Sequence, residues 1–161
     1  MKLEAKQMSI RSLVSSARLG FSIPDFQRNY SWGESQLEQF WIDMISVADQ
    51  KFPDHFLGPI VLLSGDQRKP VIDGQQRLTT LVVLAGVIRD KFVLDFDDPN
   101  YSVDGTSQVY SNILNPLLFL TDLTSPLLQG NYQIKNILDS YVIKNPKSDL
   151  RKNFSDKKSK L

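Results

Sequence analysis

Apolar residues recur at helical spacing in two segments of the amino-terminal third of the chain. In residues 8–17 they fall at positions i, i+3, i+4 and i+7, and Ser9 is placed to cap a short helix. A second helix is predicted to open at Ser31, with Glu34 completing a capping box, and to end before Pro53. The predicted apolar faces are Ile10, Leu13, Val14 and Ala17 in the first helix, and Leu37, Phe40, Trp41, Met44, Ile45 and Ala48 in the second.

The central part of the chain predicts a β-hairpin followed by a long helix. Residues 58–64 are typical of a buried strand, residues 65–68 of a turn, and residues 69–72 of the returning strand. Asp73 and Gly74 then break the strand and open the third helix. Its apolar residues again share one face: Leu78, Leu81, Val82, Ala85, Ile88 and Phe92.

The carboxyl-terminal part has a weaker pattern. Between residues 93 and 130, turn residues and two prolines interrupt the apolar segments, and a last helix is predicted over residues 132–143. Residues 144–161 carry seven Lys or Arg against two Asp or Glu, which predicts a basic, polar and flexible tail. The order of elements predicts an α+β fold with a small sheet.

Composition excludes several kinds of chemistry. The chain has 161 residues, no cysteine and one histidine, His55. Disulfides, thiolate metal sites, thiol catalysis and multi-histidine metal sites are therefore excluded. The net charge of +1 argues against a general polyanion binder. The start lacks an apolar leader, and the longest uncharged apolar stretch, residues 78–88, is too short to span a bilayer, so we expect a cytoplasmic protein.

The junction from Asp73 to Arg77 carries the most informative chemistry. A strand ends, a glycine permits a sharp turn, and a helix begins whose first amide N–H groups favour an anion such as phosphate. Arg77 could grip phosphate oxygens, and the two glutamines could give directional hydrogen bonds. In the plainer interpretation, Asp73 and Gln76 form a capping box and bind nothing. No P-loop lysine is present, which excludes an ordinary P-loop NTPase.

A second candidate segment, residues 23–32, combines polar and aromatic residues after a proline. Its aromatic residues, Phe26, Tyr30 and Trp32, are typical of core positions. Gln27 and Arg28 are harder to place in a core, so we predict a binding loop there. His55 is expected to be an ordinary surface histidine, unless the fold brings it to the Asp73 loop.

Three motifs taken together resemble the N-terminal domain of GmrSD-type restriction proteins. They are Ile-Pro-x-Phe-Gln-Arg-x-Tyr-x-Trp at residues 23–32, Phe-Leu-Gly-x-Ile-Val at 56–61, and Asp-Gly-Gln-Gln-Arg-Leu-Thr-Thr-Leu at 73–81. The resemblance covers residues 8–92 well. It implies a ParB/sulfiredoxin-like small sheet with flanking helices over residues 1–92. A mainly helical part of the same domain would follow over residues 93–143, before the tail at 144–161.

The resemblance also implies nucleotide binding and hydrolysis that regulate defence against foreign DNA. Carried over by position, the catalytic residues would be Asp73, Gln76 and Arg77. The nucleotide-binding residues would be Gln27, Arg28, Gly74, Gln75 and Arg77. The arginines would neutralise phosphate charge, so replacing Arg77 with alanine is expected to abolish binding and leave the fold intact. The ligand would be a nucleoside triphosphate with Mg²⁺, and no dedicated metal-binding residue is assigned.

Proteins of this family usually continue into an HNH-type nuclease domain with a catalytic histidine. The single histidine of this sequence, His55, lies just before the predicted hairpin, so we do not expect that nuclease domain within these residues. We therefore expect any contact with DNA to go through a partner or a separate nuclease domain. A membrane partner is not expected, and a homo-oligomer is compatible with the sequence. Two alternatives stay open: a DNA-binding or nuclease module of the ParB-like type, and a non-catalytic interaction module.

Overall fold

The computed structural model describes residues 4–64, 67–95, 114–120, 125–132 and 134–139. Within them the element order is α1, β1, α2, β2, β3, α3, α4, β4 and α5. The helices are α1 (Ile10–Ser16), α2 (Glu34–Ala48), α3 (Gln75–Asp95), α4 (Asn115–Leu118) and α5 (Lys135–Ile137). The strands are β1 (Phe21–Ser22), β2 (Val61–Leu62), β3 (Lys69–Asp73) and β4 (Leu128–Gln129).

The described strands form one small sheet in the order β2-β3-β1-β4. The hairpin of β2 and β3 is antiparallel, as predicted from the sequence. The prediction of a buried strand over residues 58–64 is wrong, because β2 is only two residues long, with Val61 exposed and Leu62 half-buried at the edge of the sheet. In contrast, β1 pairs in parallel with both β3 and β4, through Phe21 opposite Lys69 and Leu128. The prediction of an α+β fold with a small sheet is confirmed.

The core lies where α3 packs over the sheet with the carboxyl-terminal elements. Its most deeply buried side chains are Phe21, Val71, Leu78, Val82, Leu118, Leu127, Leu128 and Leu138. Four of the six predicted apolar positions of α3, from Leu78 to Ala85, are buried, and Ile88 packs against the cluster. The side chain of Phe92 is outside the described set. The helical apolar stripe therefore identified the buried face of α3.

The amino-terminal helix also follows its sequence signals. The Ser9 hydroxyl accepts a hydrogen bond from the Ser12 amide at 3.1 Å, so Ser9 is the N-cap as predicted. Ala17, the last residue of the predicted stripe, is buried, and Leu13 and Val14 pack against the core. This helix ends before Gly20, which leads directly into β1.

The start and the apolar face of α2 differ from the prediction. Gly33, not Ser31, is the N-cap, and the Gln36 side chain accepts from the Gly33 amide at 3.0 Å. Only Phe40 is buried on α2, against Trp32 at 5.8 Å between ring centroids. The rest of the predicted face is half-buried or exposed, because the described residues of other elements do not cover it. The capping box at Ser31 and Glu34 is therefore wrong.

The part of the chain after residue 93, expected to be mainly helical, also contributes a strand to the sheet and buried side chains to the core. Residues 126–129, expected to be irregular, carry the edge strand β4 and two fully buried leucines, Leu127 and Leu128. The last predicted helix, 132–143, is seen only as α5, and residues 140–143 lie outside the described set. The basic tail at 144–161 lies outside it as well. The carboxyl-terminal segment is thus part of the same sheet as the amino-terminal motifs.

Candidate functional site

Three loops meet at one edge of the sheet. Since β3, β1 and β4 are adjacent and parallel, their carboxyl ends all lie at this edge. The loops that leave these strands are residues 23–28, 74–75 and 130–132. We call this group of loops the carboxyl-edge site. In sheets of parallel strands, ligands bind in the crevice outside the carboxyl ends of the strands.

The turn between β3 and α3 requires glycine. Gly74 has a φ of +85°, a backbone conformation that side chains with a Cβ disfavour. A Cβ at this position would lie 2.9 Å from the Ile60 side chain and 3.0 Å from the Pro59 carbonyl oxygen. The first bond of α3 runs from the Leu78 amide to the Gly74 carbonyl at 3.0 Å. Gly74 therefore lets the chain turn into α3 within a single residue while packed against the β2 segment.

Asp73 and Gln76 do not form the capping box that the plainer interpretation predicted. The Asp73 side chain is 62% exposed, and its carboxylate lies 3.7 Å from the Arg77 guanidinium. The Gln76 side chain is buried and turns towards the segment after β1. It donates to the Asn29 carbonyl at 3.1 Å and accepts from the Ser31 amide at 2.8 Å. Gln76 therefore joins α3 to the 29–31 segment through both ends of its amide.

Two further hydrogen bonds hold the loop after β1 against the start of α3. The Gln27 side chain donates to the Ile72 carbonyl at 2.9 Å, and the Gln75 side chain donates to the Arg28 carbonyl at 3.1 Å. Tyr30 adds a contact of 2.8 Å between its hydroxyl and that of Thr80. The structure thus brings the first motif and the third together, and ligand binding by this loop stays a prediction.

Gln75 has one polar atom that its surroundings leave unsatisfied. The residue is 6% exposed, and its Oε1 has no hydrogen-bond partner among the described residues. Its Nε2 is occupied by the Arg28 carbonyl, so turning the amide over would set two oxygens against each other. A buried acceptor without a donor is costly, and such atoms are expected to meet a water or a ligand.

The Arg77 guanidinium already has protein partners. It donates to the Leu57 carbonyl at 3.1 Å and to the Pro59 carbonyl at 2.7 Å. Gly58, with a φ of +90°, lies directly under it, because a Cβ there would overlap the guanidinium. Arg77 therefore clamps the Phe-Leu-Gly motif onto α3, and its role in phosphate binding stays a prediction.

Replacing Arg77 with alanine is expected to lower the free energy of unfolding by about 1.5 kcal/mol, since two backbone carbonyls lose a charged donor. This differs from the expectation that the fold stays intact. Urea denaturation of the variant measures the change, with Arg11→Ala on the exposed surface of α1 as the control. A variant as stable as the control would show that the clamp contributes nothing.

Arg28 is the candidate residue that the structure leaves most open to a ligand. It is exposed, and among the described residues its one hydrogen bond is that of its backbone carbonyl, which accepts from Gln75. Because Gln75 holds that carbonyl, the Arg28 side chain starts next to the beginning of α3. The Arg28 guanidinium can therefore meet a ligand without breaking a contact of the described fold, whereas the exposed Asp73 carboxylate already faces Arg77 at 3.7 Å.

Sequence reasoning missed the third loop of the site. Asn131 is buried and donates to the Gln27 carbonyl at 3.5 Å. The Tyr132 amide donates to the Asp25 carboxylate at 3.2 Å. The available signal was the apolar pair Leu127-Leu128, which is followed within two residues by Gly-Asn, a strand and turn pattern too short to stand out.

His55 lies outside the carboxyl-edge site. Its Nε2 is 3.5 Å from the Asp43 carboxylate, in a groove of about 250 Å³ between α2 and the loop that follows it. Neither residue belongs to the three loops. Among the described residues, no group of three or more His, Asp or Glu is arranged to hold a metal ion.

The comparison with protein families matches nearly the whole chain. Residues 10–160 match the family described as GmrSD restriction endonuclease, N-terminal domain. No protein in the curated set matches the chain. In the described part of the chain, no helix is long and apolar enough to cross a membrane. The match extends well beyond the 8–92 region on which the resemblance was based, and the chain therefore belongs to the family of GmrSD restriction endonuclease N-terminal domains, as part of a restriction system.

Proposed function

We propose that this chain is a nucleotide-binding regulatory domain of its restriction system, with the triphosphate at the start of α3. The observation that carries the proposal is that the loops after β1, β3 and β4 meet at the start of a 21-residue helix, with the Arg28 side chain exposed on one of them. Gln75, the first residue of that helix, is nine-tenths buried, and its Oε1 lacks a partner among the described residues.

Phosphate suits this position on electrostatic grounds. The amide N–H groups in the first turn of α3 have no partners within the helix, and the helix dipole adds partial positive charge there. Arg28 supplies an exposed cation. These features support binding of a polyanion at the helix start.

The geometry favours a division of roles that differs from the resemblance. Gln27, Gln76 and Arg77 are occupied by backbone partners, so they position the loops. Arg28 and the Gly74 turn are then the phosphate-binding groups. Gln75 Oε1 can accept only from a donor, which is a hydroxyl, an amine or a water and not an ionised phosphate oxygen.

Hydrolysis, if the domain carries it out, breaks the bond between the γ-phosphorus and its bridging oxygen as water attacks, and yields a diphosphate and inorganic phosphate. Asp73 is the carboxylate available to orient that water. Mg²⁺ is commonly held by one or two carboxylates and by substrate phosphates, and the exposed Asp73 carboxylate fits that donor set. When bound, the ion would neutralise phosphate charge.

Thermal unfolding in the presence of ATP, GTP, CTP or UTP with Mg²⁺ tests the proposal. A ligand at 100 times its Kd adds about 2.7 kcal/mol of stability, which raises the Tm of a chain this size by about 5 to 10 °C. Arg28→Ala is expected to weaken binding about tenfold at unchanged Tm of the free protein, because Arg28 is exposed. Arg11→Ala is the matched control.

A Tm that none of the four nucleotides moves would contradict the proposal. The interaction-module alternative would then be favoured, since apolar side chains such as Trp41 and Phe56 are exposed on α2 and the loop after it. Equal affinities for Arg28→Ala and Arg11→Ala would place the phosphates elsewhere. Retention of DNA that falls steeply with salt would instead favour the DNA-binding alternative.

A further inference from the structure

Two aromatic side chains of the carboxyl-edge site are exposed. Phe26, in the loop after β1, is 76% exposed, and Tyr132, in the loop after β4, is 68% exposed. Phe26 was expected to be a core residue on the basis of the sequence. It is the most exposed aromatic residue in residues 23–32. Singly exposed apolar side chains are common on protein surfaces, so what distinguishes Phe26 and Tyr132 is that both lie on loops of the carboxyl-edge site.

The segments that carry the two rings are held side by side. The Tyr132 amide donates to the carboxylate of Asp25, the residue before Phe26, at 3.2 Å. Buried Asn131 donates to the carbonyl of Gln27, the residue after Phe26, at 3.5 Å. One hydrogen bond therefore lies on each side of Phe26 along the chain and joins its loop to the loop of Tyr132.

The same loop is joined to the start of α3. Gln27 donates to the Ile72 carbonyl at 2.9 Å, and Gln75 donates to the Arg28 carbonyl at 3.1 Å. Phe26 is thus two residues from the backbone group that Gln75 holds. Phe26 and Tyr132 therefore lie on segments that are hydrogen-bonded to each other and, through Gln27 and Arg28, to β3 and the start of α3.

We infer that Phe26 and Tyr132 form a stacking surface for the nucleobase of the bound nucleotide. The inference rests on the proposed function and extends it from the phosphates to the base. Aromatic rings stack on the flat faces of bases and tolerate any of the four, while phosphate gains nothing from them. The ligand class is a nucleotide bound by its base as well as its phosphates.

Titration calorimetry with two probes separates base from phosphate recognition. ATP carries both parts, and inorganic tripolyphosphate carries only the anion. Phe26→Ala is expected to weaken ATP binding about tenfold and Tyr132→Ala by a similar factor, because loss of one stacking ring has effects of this order. Both are expected to leave tripolyphosphate affinity within twofold of the wild type. Phe26→Trp keeps an aromatic ring at this position and is therefore expected to bind ATP with about the affinity of the wild type.

Phe56→Ala is the matched control, since Phe56 is 79% exposed but lies at the groove beside α2. Its ATP affinity should equal that of the wild type. If both Phe26→Ala and Tyr132→Ala bind ATP like the wild type, the stacking surface is refuted and the proposed function stands. Equal losses for ATP and tripolyphosphate would also refute it, by showing that the rings only position the loop. If the wild type binds neither probe, the proposed function itself fails.

Discussion

Replacing Gln76 with alanine is expected to lower the free energy of unfolding by about 3 kcal/mol. The side chain is 7% exposed and uses its amide twice, as donor to the Asn29 carbonyl and as acceptor from the Ser31 amide. Removing it leaves both backbone groups without their partner in a part-buried place, and each such loss costs about 1 to 3 kcal/mol. Urea denaturation at constant m-value measures the change.

Gln39→Ala is the matched control for this substitution. Gln39 also uses its amide, as donor to the Asp43 carboxylate at 2.9 Å, but the pair is exposed on α2. Its loss is expected to change stability by less than about 0.5 kcal/mol. If Gln76→Ala and Gln39→Ala unfold at the same urea concentration, then the bridge between α3 and the 29–31 segment does not stabilise the fold.

Gly74→Ala is expected to destabilise the protein by about 3 kcal/mol as well. A φ of +85° costs a residue with a Cβ about 1 to 3 kcal/mol, and the added methyl group would approach Ile60 at 2.9 Å. Relief of this contact requires either the turn into α3 or the β2 segment to shift. Because the turn also presents the helix start, we expect nucleotide affinity to fall together with stability.

Gly33→Ala is the matched control for Gly74→Ala, because it adds the same methyl group at a glycine whose φ is negative. Gly33 is the N-cap of α2 with a φ of −94°, and a Cβ there would meet only the Gln36 side chain at 3.5 Å. We expect a loss of about 1 kcal/mol or less, which is typical of a weakened cap. A Gly74→Ala variant no less stable than Gly33→Ala would contradict the account of the turn.

These two predictions concern residues that sequence analysis named for chemistry. Gln76 was assigned to catalysis because of its place in the Asp-Gly-Gln-Gln-Arg motif, and the structure places its amide between two backbone groups. Glutamine suits that position because one amide offers a donor and an acceptor at once. The motif therefore serves in part to hold the loops of the site together; Asp73 is its exposed residue, and Gln75 Oε1 is its buried acceptor without a partner among the described residues.

Local signals predicted the elements whose causes are local. The Ser9 cap, the buried face of α3 and the β2–β3 hairpin all follow from residues within a few positions of one another. The Ser31 capping box was wrong because two residues competed for the same helix start. Gln76 holds the Ser31 amide from another element, and Gly33 begins α2 instead. A capping box predicted from the spacing of nearby residues takes no account of a hydrogen-bond partner as distant along the chain as Gln76.

The sequence by itself determined the family, the long helix, the hairpin and the motifs that build the site. Helical periodicity, turn residues and motif order are properties of residues that are close along the chain. Only the tertiary structure decided that β1 pairs with β4 over a hundred residues away, and that Asn131 and Tyr132 join the site. Two-residue strands carry no periodicity, so their pairing is set by the burial of side chains such as Phe21 and Leu128 and by backbone hydrogen bonds that form only in the folded chain.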